Sequence, residues 1–223
     1  MKKLFLVANW KSNKISLEAR EWLEEYQRSK IKDQRSKEKE VIVCPPFTLL
    51  SMMKSFIDDK NLPIKLGGQN VSPFDAGAYT GEVHAKQVKE FADYVIIGHS
   101  ERRNNFGETD DILIKKVKKA MEVGLMPIFC IQNETTPVPE QVTLVAYEPP
   151  TAIGTGNPDT PENAERVAKI VKEKNPQIVY ILYGGSVTQD NIRGFVEMEN
   201  INGVLVGGAS LDPLKFTALI KNA

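Results

Sequence analysis

Eight short apolar runs, rich in Val, Ile and Leu, punctuate the chain at residues 4–8, 41–44, 64–66, 94–97, 126–131, 142–147, 178–183 and 204–206. They barely alternate between polar and apolar positions, which is how strands of a parallel sheet read when both faces are covered. Most of the intervening pieces carry helical spacing instead. Ile15, Ala19, Trp22, Leu23 and Tyr26 fall on one helix face with charges opposite. Ile112, Val117, Ala120 and Met121 do the same, as do Ala164, Val167, Ala168 and Val171. Asp159-Thr160-Pro161-Glu162 reads as a helix start, with a capping residue, an early proline and an acid in the first turn. Gly124 and Asn175-Pro176 read as stops. Strands alternating with helices predict a closed (β/α)8 barrel, a single domain over residues 1–223. A doubly wound open sheet is the alternative, disfavoured because no Rossmann glycine fingerprint follows the first strand.

One interval breaks the alternation. Residues 132–141 separate the fifth and sixth runs and contain Pro137 and Pro139, leaving no room for a full helix. The fifth helix is therefore expected to be missing or much reduced. The barrel would then lack cover at that point, and a partner subunit would supply it. Residues 30–40 are almost all charge and read as the solvated end of the first helix and its connection to the second strand.

Charge and composition narrow the field. The 223 residues carry 29 Lys+Arg against 29 Asp+Glu, so no global basic field exists to attract nucleic acid or anionic lipid. No apolar run approaches the roughly 20 residues of a membrane helix. Cys44 and Cys130 end or nearly end apolar runs and read as buried free thiols. The apolar stretch after Met1-Lys2-Lys3 is too short for a signal peptide. A cytoplasmic protein is expected, and the glycosylation-like triplets at Asn70 and Asn133 are read as incidental.

In such a barrel the chemistry sits at the carboxyl ends of the strands. There the chain places Asn9 and Lys11 after the first run, His99, Ser100 and Glu101 after the fourth, and Glu148 after the sixth. The glycine-containing turns Gly184-Gly185-Ser186 and Gly207-Gly208 follow the seventh and eighth. A carboxylate, an imidazole and an ammonium can handle protons and charge, and the glycine turns can present backbone N–H groups to an anion. A small phosphorylated substrate undergoing proton transfer beside a carbonyl is the chemistry this set suits. No metal-ligand cluster or cofactor fingerprint is legible. His84 reads as a surface residue, and Trp10 and Trp22 as packing residues.

The motifs Asn9-Trp-Lys11, Gly77-Ala-Tyr-Thr-Gly-Glu82, Ile97-Gly-His-Ser-Glu-Arg-Arg103, Phe106-Gly-Glu-Thr-Asp110, Ala146-Tyr-Glu148, Ala152-Ile-Gly-Thr-Gly156, Tyr183-Gly-Gly-Ser-Val187 and residues 203–211 resemble those of the triosephosphate isomerase family. They run in the family's order and cover nearly the whole chain. The resemblance implies a TIM barrel that interconverts D-glyceraldehyde 3-phosphate and dihydroxyacetone phosphate in glycolysis and gluconeogenesis, without metal or organic cofactor. It implies Glu148 as the base and a neutral His99 as hydrogen-bond donor to the carbonyl oxygen, the roles for which this family is known. It also implies Lys11 as the charge near enediolate and phosphate, and Asn9 as a further donor. Ile153, Gly154, Ser186, Gly207 and Gly208 would contact substrate. Glu101 would position Lys11, Ser100 would support the site, and Leu205 with Ile153 would crowd the base. The loop 149–156 would close over the substrate and exclude water.

The chain departs from the family in three places. The hinge after the base reads Pro149-Pro150-Thr151, the segment after the fifth strand reads Cys130-Ile-Gln-Asn133, and the fifth helix is cut away. Its length is near that of the family's short archaeal members. Residues 69–82 match the loop that docks into a neighbouring subunit, with Thr80 approaching its active site. The resemblance therefore implies a homodimer or a homotetramer. Two other readings are weighed: another phosphate-binding barrel enzyme, and a catalytically silent protein that kept the fold. No lysine lies inside the late strands for the first, and Lys11, His99 and Glu148 are all present against the second.

Overall fold

The computed structural model describes residues 2–29, 38–152 and 156–223. Eight parallel strands close into a barrel in chain order: β1 (Leu4–Asn9), β2 (Lys39–Cys44), β3 (Lys65–Gly68), β4 (Tyr94–Ile97), β5 (Met126–Ile131), β6 (Leu144–Tyr147), β7 (Tyr180–Tyr183) and β8 (Gly203–Val206). β1 closes the ring by pairing with both β2 and β8. The helices are α1 (Ser16–Arg28), α2 (Leu50–Asp59), α3 (Ala85–Lys89), α4 (Ser100–Phe106), α5 (Asp110–Glu122), α6 (Pro161–Lys174), α7 (Ile192–Val196) and α8 (Pro213–Asn222).

The period-2 geometry of the strands divides the apolar residues into two layers. Phe5, Val7, Ile42, Cys44, Ile96, Ile128, Cys130, Leu144, Ala146, Leu182 and Leu205 pack in one cluster, the filled interior of the barrel. Leu6, Ala8, Val43, Ile97, Phe129, Ile131, Val145 and Tyr147 belong to the other, between strands and helices. This explains the absence of alternation in the sequence: apart from Leu4 beside Phe5 and Thr143 beside Leu144, the neighbours of these interior residues are buried as well.

The helix faces follow the expected spacing on α1 and α6. α1 buries Ala19, Trp22, Leu23 and Tyr26, although Ile15 lies just before the helix and is exposed. α6 buries Ala164, Val167, Ala168 and Val171, and its start is capped by Thr160, whose hydroxyl accepts from Asn163 N at 3.1 Å ahead of Pro161. α5 is rotated from the expected face. It buries Leu113, Lys116, Val117 and Ala120 and leaves Met121 exposed, because the buried Lys116 ammonium finds Glu108 and, at 2.6 Å, Asn70 Oδ1.

Residues 132–143 form turns and no helix. The expected gap in the cover does not open, however. Phe129, Ile131, Val142 and Val145 are all buried within one chain. The Arg103 guanidinium lies 5.8 Å from the centre of the Phe129 ring, and Arg103 Nε donates to Gly98 O at 2.9 Å. The connection is also tied to α6: Arg166 reaches Glu134 at 3.3 Å, and Lys174 Nζ donates to Glu134 O at 3.2 Å. A compact turn with two ties replaces the helix, so no partner is needed to bury these side chains.

Candidate active site

Strand alternation aims the site. Phe5 and Val7 of β1 point inward, so Asn9 is the next inward position; Leu144 and Ala146 of β6 are followed inward by Glu148; Leu182 of β7 is followed by Gly184. Asn9, Lys11, His99 and Glu148 line a cavity of about 300 Å³ at this end, together with Gly184–Thr188 and Gly207–Ala209.

Glu148 is 1% exposed. Its Oε2 accepts from Ser100 N at 2.9 Å at the start of α4, and its Oε1 lies 3.0 Å from His99 Nε2. Burial pushes the Glu148 carboxyl up from the usual carboxylate range, and His99, the Ser100 N–H and Lys11 oppose that shift only in part. His99 is the residue before α4, and its Nδ1 accepts from Glu101 N at 3.2 Å. A ring nitrogen that accepts carries no proton, so the proton sits on Nε2 and faces the cavity. The helix start thus selects the neutral tautomer that can donate to a carbonyl oxygen.

Lys11 has φ +52°, a left-handed conformation rare for a residue with a side chain. Three contacts hold it there. Asn9 Oδ1 accepts from Lys11 N at 3.1 Å, Gln69 Nε2 donates to Lys11 O at 2.9 Å, and Lys11 Nζ meets Glu101 Oε1 at 2.6 Å. Gln69 also donates to Cys44 O at 2.8 Å, spanning the ends of β1 and β2. In the sequence Gln69 stands out only as the start of the 69–82 loop. Its signal was its position directly after Gly68, at the mouth of the third strand.

The glycines at the mouth serve close approach. A methyl group on Gly184 would lie 2.9 Å from Glu148 Cγ, and one on Gly207 would lie 3.3 Å from Lys11 Cε. Leu205 is buried and lines the cavity. Ser186 Oγ donates to Ala152 O at 2.7 Å, tying the β7 turn to the segment after the base. Ile153 and Gly154 lie outside the described residues. Thr80 is exposed on the long β3–α3 connection and does not line the cavity within one chain.

The triosephosphate isomerase family model matches residues 4–143 and 138–223. The chain belongs to the triosephosphate isomerase family. Proteins named triosephosphate isomerase are its relatives over their full lengths: 38% identity with that of Dictyoglomus turgidum over 100% of both chains, 39% with that of Trichodesmium erythraeum over 99% of both, and 36% with that of Aquifex aeolicus over 96% and 97%. The family match comes in two pieces that meet at residues 138–143, inside the connection where the barrel lacks a helix. The Dictyoglomus alignment runs over 254 positions against 223 residues here, so that relative has residues this triosephosphate isomerase family member lacks.

Proposed function

We propose that the chain interconverts D-glyceraldehyde 3-phosphate and dihydroxyacetone phosphate, with Glu148 as the base. The observation that carries this reading is the buried Glu148 carboxylate held between His99 Nε2 and the Ser100 N–H, in a cavity shared with Lys11. Glu148 takes a proton from the carbon next to the carbonyl, and the electron pair moves onto the carbonyl oxygen to give an enediolate. His99 Nε2–H donates to that oxygen and relays protons between the two oxygens, while Lys11 balances the developing charge. Glu148 then returns its proton to the neighbouring carbon, so no atoms are gained or lost. Ser186, Gly207 and Gly208, with Gly154, receive the phosphate end, and Ile153 contacts the substrate beside the base. The cavity is near the lower end of ordinary ligand sites, which suits a three-carbon phosphate.

The working form in this reading is a homo-oligomer, a homodimer at least. Phe74 and Tyr79 are exposed and stacked with ring centres 4.3 Å apart on the connection that carries Thr80, an apolar pair suited to a second copy. No helix among the described residues is long and apolar enough to cross a membrane; the cytoplasmic location remains part of this proposal.

The test is isomerisation of D-glyceraldehyde 3-phosphate by the purified chain beside Glu148→Gln. Turnover in the parent with a loss of several orders of magnitude in the variant is expected. A folded parent that binds 2-phosphoglycolate without turnover would refute the reaction, and a fully active Glu148→Gln would refute the base.

A further inference from the structure

One residue outside the cavity is joined to the ends of both β6, which leads to the base, and β7, which leads to the Gly184-Gly185-Ser186 turn, by its carboxylate to the first and its backbone N–H to the second. Asp159, two residues before α6, donates its backbone N–H to Tyr183 OH at 2.7 Å. Its Oδ2 accepts from Asn163 Nδ2 at 2.6 Å and, over a longer 3.4 Å, from Tyr147 OH, while its Oδ1 accepts from Thr160 N at 2.8 Å. Tyr147 and Tyr183 are the last residues of β6 and β7 and are partners in the sheet register. Both rings are buried, with centres 6.4 Å apart. Burial, and then the charge of Asp159, push the Tyr147 phenol up, so it stays protonated and donates.

The residues that follow these tyrosines are Glu148 and Gly184, and they pack without slack. Gly184 N donates to Tyr147 O at 2.7 Å, and a methyl group at Gly184 would lie 2.9 Å from Glu148 Cγ. A shift of either strand end therefore moves the base against the glycine turn. We propose that Asp159 is a positioning residue for the isomerisation, pinning the ends of β6 and β7 to the start of α6 and so fixing the base relative to the Gly184-Gly185-Ser186 turn. It touches no substrate. The helix does not depend on it for its cap, which Thr160 provides.

The inference rests on Glu148 as the base. The test is a double-mutant cycle of Asp159→Ala and Tyr147→Phe, read in kcat, KM and inhibition by 2-phosphoglycolate, with urea midpoints for each variant. Asp159→Ala is expected to lower kcat about tenfold with KM and inhibitor binding within about twofold, the pattern of a misplaced base in an intact binding site. The double variant should be no slower than the slower single, since both remove one link. Asp159→Asn, which keeps the size and loses one acceptor, should fall between parent and Asp159→Ala, and decides the matter if the alanine variant does not fold. An unchanged kcat, losses that multiply in the double variant, or a fall that only follows the urea midpoint would overturn the proposal. A fully active Glu148→Gln would instead remove the base assignment; a silent Glu148→Gln beside an unaffected Asp159→Ala would sink the Asp159 role alone.

Discussion

Replacing Gln69 by Leu probes how Lys11 is held. The change keeps the bulk and removes two donors, those to Lys11 O at 2.9 Å and Cys44 O at 2.8 Å. A net hydrogen bond of this kind contributes about 0.5–1.5 kcal/mol, and the half-buried setting lets water replace part of it, so the expected loss is about 1–2 kcal/mol. The left-handed backbone at Lys11 adds a reason for the turn to relax once its carbonyl is released, because such a conformation persists only when its surroundings over-determine it. If the loss falls on the transition state, kcat/KM drops by about five- to thirtyfold, at about 1.4 kcal/mol per factor of ten. The assay is steady-state isomerisation with 2-phosphoglycolate inhibition, alongside urea unfolding of the same sample. Weaker inhibition together with lower kcat/KM is expected, since Lys11 serves both. A variant whose urea midpoint falls while inhibition and kcat/KM stay at parent values would refute the claim that Gln69 holds Lys11 in place.

Other consequences follow from the same contacts. The Glu148 carboxyl, raised by burial, should titrate above its ordinary value of 4.5 in a carbon-13 experiment on the free protein, and a midpoint at or below 4.5 would contradict its desolvated placement. The folded chain then holds that proton more tightly than the unfolded one. The group's contribution to stability is fully present below 4.5 and declines as pH rises through the folded value; a set of urea midpoints against pH should show that slope in the parent and not in Glu148→Gln. Lys116→Met leaves the buried Glu108 with one cation fewer and should destabilise by about 3 kcal/mol, read as a lower urea midpoint; an unchanged midpoint would mean that the buried pair contributes nothing net. Phe74→Asp should shift the sedimentation coefficient towards a smaller species, and identical sedimentation would remove the exposed Phe74–Tyr79 pair from the subunit contact.

Most strands were legible because a buried parallel strand shows as a short run of Val, Ile and Leu; β3, which reads Lys65-Leu66-Gly67-Gly68, and β8 gave only three-residue runs at 64–66 and 204–206. α1 and α6 were legible because their buried faces are purely apolar. α5 was misplaced by part of a turn because its buried stripe includes Lys116, and a lysine counts as buried only once Glu108 and Asn70 are seen beside it. The helix missing between β5 and β6 could be read from Pro137 and Pro139, but the cover that replaces it could not. That cover depends on Arg103, Arg166 and Lys174, far away in the chain.

The candidate site divides in the same way. Residue types and their order at the strand ends named Asn9, Lys11, His99, Glu148 and the glycine turns from the sequence alone, because strand ends are local and their chemistry is in the side chains. Their arrangement is not local. Which nitrogen of His99 carries the proton is decided by the first turn of α4. How far the Glu148 carboxyl is pushed up is decided by its burial beside His99, and the backbone of Lys11 is held by Gln69 from a strand two places along the barrel. The His99 contact is local, two residues apart, but the Glu148 and Lys11 properties come from hydrogen bonds and desolvation between residues distant in sequence, and these exist only once the barrel has closed.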